Sequence, residues 1–114
     1  MIVGFGIIDI WIGESRSLKE KRGTLNRIIK RVQNSFNVSI AEIGDNDHWK
    51  KAKIGFSVVG NERSHINGKI DHILHFIDSL RVAEVINTKI EILGLSDLID
   101  RQEFEGKYDE LQEG

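Results

Sequence analysis

The chain has 114 residues, of which 39% are hydrophobic and 30% are charged, and its formal net charge is −2. This length fits one domain with a substantial core, and these proportions are typical of a soluble globular protein. The absence of cysteine excludes disulfides, thiolate metal ligands and thiol nucleophiles. No apolar segment approaches the roughly 20 residues of a membrane-spanning helix, so we expect a cytoplasmic protein.

The N-terminal segment, residues 2–12, is rich in β-branched and aromatic side chains on both faces. Asp9 interrupts it and no basic segment precedes it, which indicates a central strand of a sheet rather than a signal peptide. Alternation places Phe5, Ile7 and Trp11 on one face of this strand. The opposite face then points toward the helices and the core.

A helix follows this strand. Ser17 and Glu20 form an S-x-x-E capping box, in which each side chain satisfies a backbone N–H at the start of a helix. With Arg22 counted on the same side, an apolar stripe runs along the helix and predicts packing on a core. The stripe comprises Leu18, Leu25, Ile29, Val32 and Phe36.

This helix is strongly basic. Residues 16–36 contain one acid, Glu20, and seven bases, which gives a local charge of +6. A helical wheel places four bases on the solvent arc, and Lys21 and Arg22 beside the apolar stripe with their charged ends in water. A concentrated basic surface on a nearly neutral protein suggests a polyanionic partner such as a phosphate backbone, and the alternative is a solvated or protein-facing helix. The seven bases are Arg16, Lys19, Lys21, Arg22, Arg27, Lys30 and Arg31.

The later segments complete a β-α-β-β-α-β order. We expect strands over residues 37–44 and 52–59, a helix over 63–80 and a strand over 84–93. In the last strand, Ile86, Ile90 and Ile92 are predicted to face the core. This order is typical of the ferredoxin-like α+β fold, a four-stranded antiparallel sheet with two helices on one face. Residues 1–95 form this predicted domain.

The other sheet face has no helices of its own in this arrangement. Phe5, Ile7 and Trp11 make it apolar, and an apolar face of this kind usually meets a partner, a second copy or another segment of the chain. We therefore predict a homodimer that uses these three residues. Residues 96–114 form a separate acidic C-terminal tail with a net charge of −5. This tail either folds against its own domain or a neighbouring copy and competes with RNA for the basic helix, or it is solvated and only raises solubility.

Three motifs in series resemble the YlxP-like family of small bacterial proteins over about residues 1–95. They are residues 17–22 (SLKEKR), residues 36–39 (FNVS) followed by Ala41 and Glu42, and Asp47-x-Trp49 followed by Ala52 and Gly55. The resemblance implies a ferredoxin-like domain whose gene often lies near genes for translation and ribosome-maturation factors, including ribosome-binding factor A. It implies no catalytic residues.

Several weaker patterns leave alternatives open. Trp49 beside Lys50 and Lys51 suits base stacking with a phosphate contact, or a ring folded back over a hairpin. Phe56, in a strand that faintly resembles an RNA-recognition motif, is either a stacking platform or a core residue. The second helix carries histidines His65, His72 and His75, which suggest either a zinc site or simple exposure.

Two functional hypotheses follow, and neither involves catalysis. Asp9 and Glu42 lie within predicted strands without a nucleophile, phosphate loop or cofactor motif, so we expect neither an enzyme nor a metal or cofactor site. The first hypothesis is an RNA-associated protein that binds ribosomal RNA or a maturing ribosomal particle. The second is a homodimeric protein-interaction module. The predicted RNA contacts are Lys19, Lys21, Arg22, Arg27, Lys30, Arg31, Lys50 and Lys51.

Overall fold

A computed structural model describes residues 1–98 of the chain, with side chains to residue 96. Each predicted strand and helix is present, and its ends lie within two residues of the predicted ones. A short additional helix follows the last strand. The elements are β1 (Ile2–Trp11), α1 (Leu18–Ser35), β2 (Ser39–Gly44), β3 (Lys51–Gly60), α2 (Arg63–Ser79), β4 (Glu84–Gly94) and α3 (Leu95–Leu98). The predicted tail, residues 96–114, lies outside the described residues from residue 99 onward.

The four strands form one antiparallel sheet in the order β2-β3-β1-β4, with both helices against the same face. This is the ferredoxin-like α+β fold that the sequence predicts. Ile8 and Ile10 of β1 and Ile54 of β3 are completely buried beneath the helices. The alternation of β1 is therefore as expected, with its even-numbered residues in the core.

The core is almost entirely aliphatic. The second helix contributes Ile66, Ile70, Ile73 and Ile77, each at least 98% buried. The spacing of three or four residues places all four on one helix face, as the sequence predicts. Gly4 of β1 allows this helix to approach closely, because a Cβ atom there would lie only 2.5 Å from Cγ2 of Ile66.

The first helix buries a different stripe from the predicted one. Its buried face contains Ile28, which the prediction omitted, and Lys21 in the position given to Arg22. Arg22 is exposed and Ile29 is only partly buried. A helix repeats every 3.6 residues, so a shift of one residue rotates the face by about 100°. The buried side chains are Lys21, Leu25, Ile28 and Val32.

The first part of β4 is oriented differently from the prediction, because a β-bulge interrupts its pairing with β1. The pairing of β1 with β4 shifts between Asp9 and Ile10, so that Val85 stands opposite Ile10. The extra residue reverses the alternation, which leaves Ile86 exposed while Val85 packs against the core. Ile92 packs against the core as predicted, whereas Ile90 on this edge strand stays 38% exposed.

Candidate nucleic-acid interface

The capping box positions the start of α1. The backbone N–H of Glu20 donates to the Ser17 hydroxyl at 3.1 Å, as the sequence predicts. The Glu20 carboxylate accepts from the backbone N–H of Arg16 at 2.6 Å, one residue before the expected donor. The only acid of α1 is therefore occupied at its N-terminus, where its charge also favours the helix dipole.

Five bases are exposed along α1 and form what we term the basic face. Beyond Glu20 the helix contains no acid. In the described part of the chain none of the five makes an ion pair, and Arg27 has one long hydrogen bond of 3.4 Å to the Thr24 hydroxyl. Their charges are available to an external anion. The basic face consists of Lys19, Arg22, Arg27, Lys30 and Arg31.

Lys21 is not part of this surface, which corrects its predicted contact with RNA. Its side chain is 0% exposed, and Nζ donates to the carbonyl oxygens of Asp45 at 2.8 Å and Lys51 at 3.2 Å. A longer bond of 3.4 Å reaches the carbonyl of Asn46. The Glu42 carboxylate lies 3.4 Å from Nζ as an ion pair without hydrogen-bond geometry. Glu42 thus pairs with a base, as a structural acid would.

Lys50 lies just before β3, and Lys51 is its first residue. The Lys50 ammonium donates to the carbonyl oxygen of Gly13, and both lysines are half-buried. Their backbone N–H groups each donate to Nδ1 of His48 at 3.0 Å. The Lys50 ammonium is therefore engaged within the protein and is less available to an external anion than the bases of α1.

Trp49 projects from the loop between β2 and β3. Its side chain is 56% exposed, so the interpretation of a ring folded back over the hairpin is wrong. The neighbouring His48 instead packs edge-on against Trp11, with ring centroids 6.1 Å apart. Phe56, by contrast, is 5% exposed and belongs to the core, which excludes it as a stacking platform.

A cleft of about 820 Å³ opens beside the basic face. Its walls are the segment between β1 and α1, the first half of α1 and the turn between α2 and β4. Lys19 and Arg27 belong to both the basic face and the cleft, and Trp11 lies at its edge. The lining also includes Glu14, Gly23, Thr24, Arg81, Val82, Ala83 and Glu84.

The sheet face opposite the helices carries the three predicted interface residues. Phe5 is 40% and Trp11 36% exposed, Ile7 is half-buried, and Ile43 and Val59 add further exposed apolar surface. The same face carries charges, since Asp9 pairs with Lys53 at 3.4 Å. Asp9 thus lies on the open face as a partnered acid.

The remaining candidate groups do not converge. His65, His72 and His75 are all exposed on α2. Among the described residues, no group of three or more histidine, aspartate or glutamate side chains is arranged to hold a metal ion. None of the described helices has the length and apolarity to span a membrane.

The cleft and two of its residues, Arg81 and Gly23, are not among the functional residues that the sequence predicts. Arg81 follows the end of α2 in the left-handed conformation, with φ of 58°, where glycine or asparagine is usual. Gly23 lies inside α1, where glycine is unfavourable, and a Cβ there would meet nothing within 4 Å. An arginine directly after a helix and a glycine inside one are both unfavourable for the backbone conformation they adopt. These two unfavourable positions were the signal in the sequence that could have indicated the cleft.

The fold and its exposed basic helix define a small ferredoxin-like domain with a cationic surface. A family model described as "Protein of unknown function (DUF503)" matches residues 3–90, and the chain belongs to this family. It is 41% identical over 90 residues to "Uncharacterized protein YlxP" of Bacillus subtilis (strain 168), covering 79% of this chain and 98% of that protein. The YlxP-like resemblance is thereby confirmed. The structure of the de novo designed protein Foldit4 is 15% identical with a TM-score of 0.47, covering 82% of this chain and 98% of that one.

Proposed function

We propose that this protein binds structured RNA, ribosomal RNA among the candidates, through the phosphate backbone and the basic face of α1. One observation supports the proposal most: five exposed bases lie on one helix whose single acid, Glu20, is hydrogen-bonded at the helix N-terminus, and none of the five makes an ion pair within the described residues. Solvated helix faces usually mix charges of both signs, because opposite charges on neighbouring turns attract and like charges repel. A surface without that compensation gains most from an external polyanion.

The geometry of α1 suits an extended contact. Lys19 and Lys30 are eleven residues apart, which corresponds to about 16 Å along a helix. Contacts over this length engage several phosphates at once, and each releases bound counterions from the nucleic acid. Affinity of this origin is insensitive to base sequence and falls steeply with salt. The proposal assigns a binding role and no catalytic step.

The test is a salt titration with an RNA hairpin of about 16 base pairs. We expect affinity to fall linearly on a log–log plot, and each lost phosphate contact to reduce the slope by roughly 0.7 to 0.9. Substituting Lys30→Gln and Arg31→Gln together should lower both affinity and slope. Lys69→Gln with Lys89→Gln removes the same charge from α2 and β4 and should leave the slope unchanged.

Two results would contradict this proposal. The first is no measurable binding of the hairpin by the intact protein at low salt. The second is an equal loss of slope in the two double variants, because that would show a dependence on net charge alone. Circular dichroism of each variant establishes that the fold is retained.

A second candidate function, compatible with the first, is self-association through the open sheet face. The exposed Phe5, Ile43 and Val59 favour it, because an apolar sheet face is seldom left in water. In β4, Lys89 stands opposite Ile7 and Glu91 opposite Phe5. A two-fold contact between copies would place these opposite charges within reach of each other at its rim.

Light scattering at about 100 µM tests this second candidate. We expect a dimer for the intact protein and a folded monomer for Phe5→Glu, which introduces a charge into the apolar face. Asn67→Glu adds the same charge on α2, which covers the opposite face of the sheet, and should leave a dimer. A monomeric wild-type protein would remove this candidate and leave the RNA proposal intact.

A further inference from the structure

We infer that the cleft beside α1 receives one unpaired nucleobase of the RNA whose phosphates contact the basic face. This inference rests on the proposed function and specifies what part of the RNA the protein distinguishes. Lys19 and Arg27 belong to both surfaces, so an RNA strand on the basic face runs along the rim of the cleft. The volume of about 820 Å³ lies in the usual range for small-molecule sites, roughly 300–1,000 Å³.

The charge of the cleft favours a base over a phosphate. Its three cations, Lys19, Arg27 and Arg81, are balanced by three carboxylates, Glu14, Glu20 and Glu84. The three bases of the basic face that do not line the cleft, Arg22, Lys30 and Arg31, make no ion pair within the described residues. Phosphates are therefore expected on the open helix surface, while the balanced cleft accepts a neutral group.

The lining chemistry also suits a nucleobase. Among the lining residues, Trp11 provides an aromatic surface, and Val82 and Ala83 provide apolar surface. Bases stack on aromatic rings and on the planar guanidinium group of arginine, which Arg81 supplies. Glu14 and Glu84 are hydrogen-bond acceptors, which favours a base with an exocyclic amino group, such as cytosine.

Two unfavourable residues are accounted for by this role. Arg81 occupies a left-handed position where glycine would be less strained, which indicates that its side chain is retained for another purpose. Gly23 leaves open space in the wall of the cleft where any other residue would project a side chain. A glycine there keeps the cleft open at the expense of helix stability.

The experiment compares two RNA hairpins, one fully paired and one with a single bulged cytidine. We expect the bulged hairpin to bind at least about fivefold more tightly, since stacking of one base on an aromatic group contributes that much or more. Gly23→Leu projects a branched side chain into the cleft and should abolish the preference while leaving the affinity for the paired hairpin and its salt slope unchanged. Gly68→Leu in α2 is the matched control, because a Cβ there also meets nothing within 4 Å.

A second measurement detects the base directly. In a Trp49→Phe background, Trp11 is the remaining tryptophan. The bulged hairpin should quench its fluorescence, and the paired hairpin should not. This readout uses the native cleft and is independent of how Gly23→Leu folds.

The outcomes separate the two proposals. If the paired hairpin does not bind at all, the proposed function is wrong and this inference fails with it. If both hairpins bind equally and Trp11 fluorescence is unchanged, the cleft does not receive a base, while the phosphate contact stands. A retained preference in Gly23→Leu, or an equal loss of affinity for both hairpins, would also overturn the inference.

Discussion

A fully buried lysine ammonium holds the loop between β2 and β3 in this protein. Burying a charge is costly unless it is paired and hydrogen-bonded. Lys21 meets both conditions, with three backbone carbonyls and the Glu42 carboxylate around Nζ. The carbonyls at Asp45 and Asn46 belong to a turn, where strand pairing does not satisfy them. The carbonyl of Asp45 also accepts from the backbone N–H of His48 at 3.0 Å, so Lys21 adds hydrogen bonds to the one that the turn makes itself.

Removing that ammonium should destabilise the protein strongly. We expect Lys21→Ala to lower the free energy of unfolding by about 3–5 kcal/mol, because it leaves the Glu42 charge unpaired and creates a cavity. Lys21→Met keeps most of the volume and should cost less. Urea denaturation measures both, and the exposed Lys19→Ala should stay within about 0.5 kcal/mol of the wild type. An equally small effect of Lys21→Ala would contradict the role of Lys21 in the fold.

The same residue distinguishes a structural base from a functional one. Lys21→Met should leave the salt slope of RNA binding unchanged, because its ammonium does not reach the surface. Lys30→Gln should reduce that slope by roughly 0.7 to 0.9. Binding isotherms at four or five salt concentrations provide the comparison. A reduced slope for a folded Lys21→Met protein would show that Lys21 reaches the RNA.

Ser17 caps the N-terminus of α1 in the structure, as the sequence predicts. Ser17→Ala removes the acceptor for the backbone N–H of Glu20, so we expect a loss of about 0.5–2 kcal/mol. Thermal unfolding measures this loss. Ser35→Ala, at the exposed other end of α1, is the control and should have little effect. A melting temperature unchanged by Ser17→Ala would contradict the capping role.

At the scale of elements, the contact between α2 and β1 depends on Gly4. A Cβ there would lie 2.5 Å from Cγ2 of Ile66 and 2.8 Å from Cδ1 of Ile70, closer than such atoms normally approach. We expect Gly4→Ala to destabilise by about 1–3 kcal/mol, because the helix must shift. Gly23→Ala adds the same methyl group in open space and should stabilise by about 0.5–1 kcal/mol. If chemical denaturation gave the same change in unfolding free energy for Gly4→Ala and Gly23→Ala, the tight packing at Gly4 would be refuted.

At the scale of the whole molecule, charge is divided unevenly along the chain, and this division is expected to affect RNA affinity. Residues 1–98 carry a net charge of +2, and residues 99–114, with six acids and two bases, carry −4. An acidic segment tethered to a basic surface acts at high effective concentration. We therefore expect removal of residues 99–114 to raise RNA affinity, most clearly at low salt where screening is weakest.

The control for this prediction is a protein with a scrambled segment of the same composition. Equal inhibition by the scrambled and native segments would show that bulk charge alone weakens binding. Stronger inhibition by the native order would indicate specific docking on the basic face. Unchanged affinity after removal would contradict the prediction in both forms.

The sequence by itself determined the order of elements and the position of the basic helix. The period-two pattern of β1 and the spacing of α2 are local properties, and Ser17 with Glu20 marked a helix start that the structure has. These features need no knowledge of distant residues, because backbone hydrogen bonding and side-chain periodicity fix them over one or two turns. The charge of α1 could be predicted for the same reason, because its bases lie within one continuous segment of the sequence.

Only the tertiary structure decided which side chains of those elements are exposed and able to contact a partner. The burial of Lys21 depends on Asp45 and Lys51, which are 24 and 30 residues away, and no helical wheel contains them. The bulge that exposes Ile86 depends on pairing with β1. The cleft forms where three separate segments meet, so Arg81 joins Lys19 and Arg27 only after folding. Contacts between distant segments are set by the packing of the whole core, which local sequence does not encode.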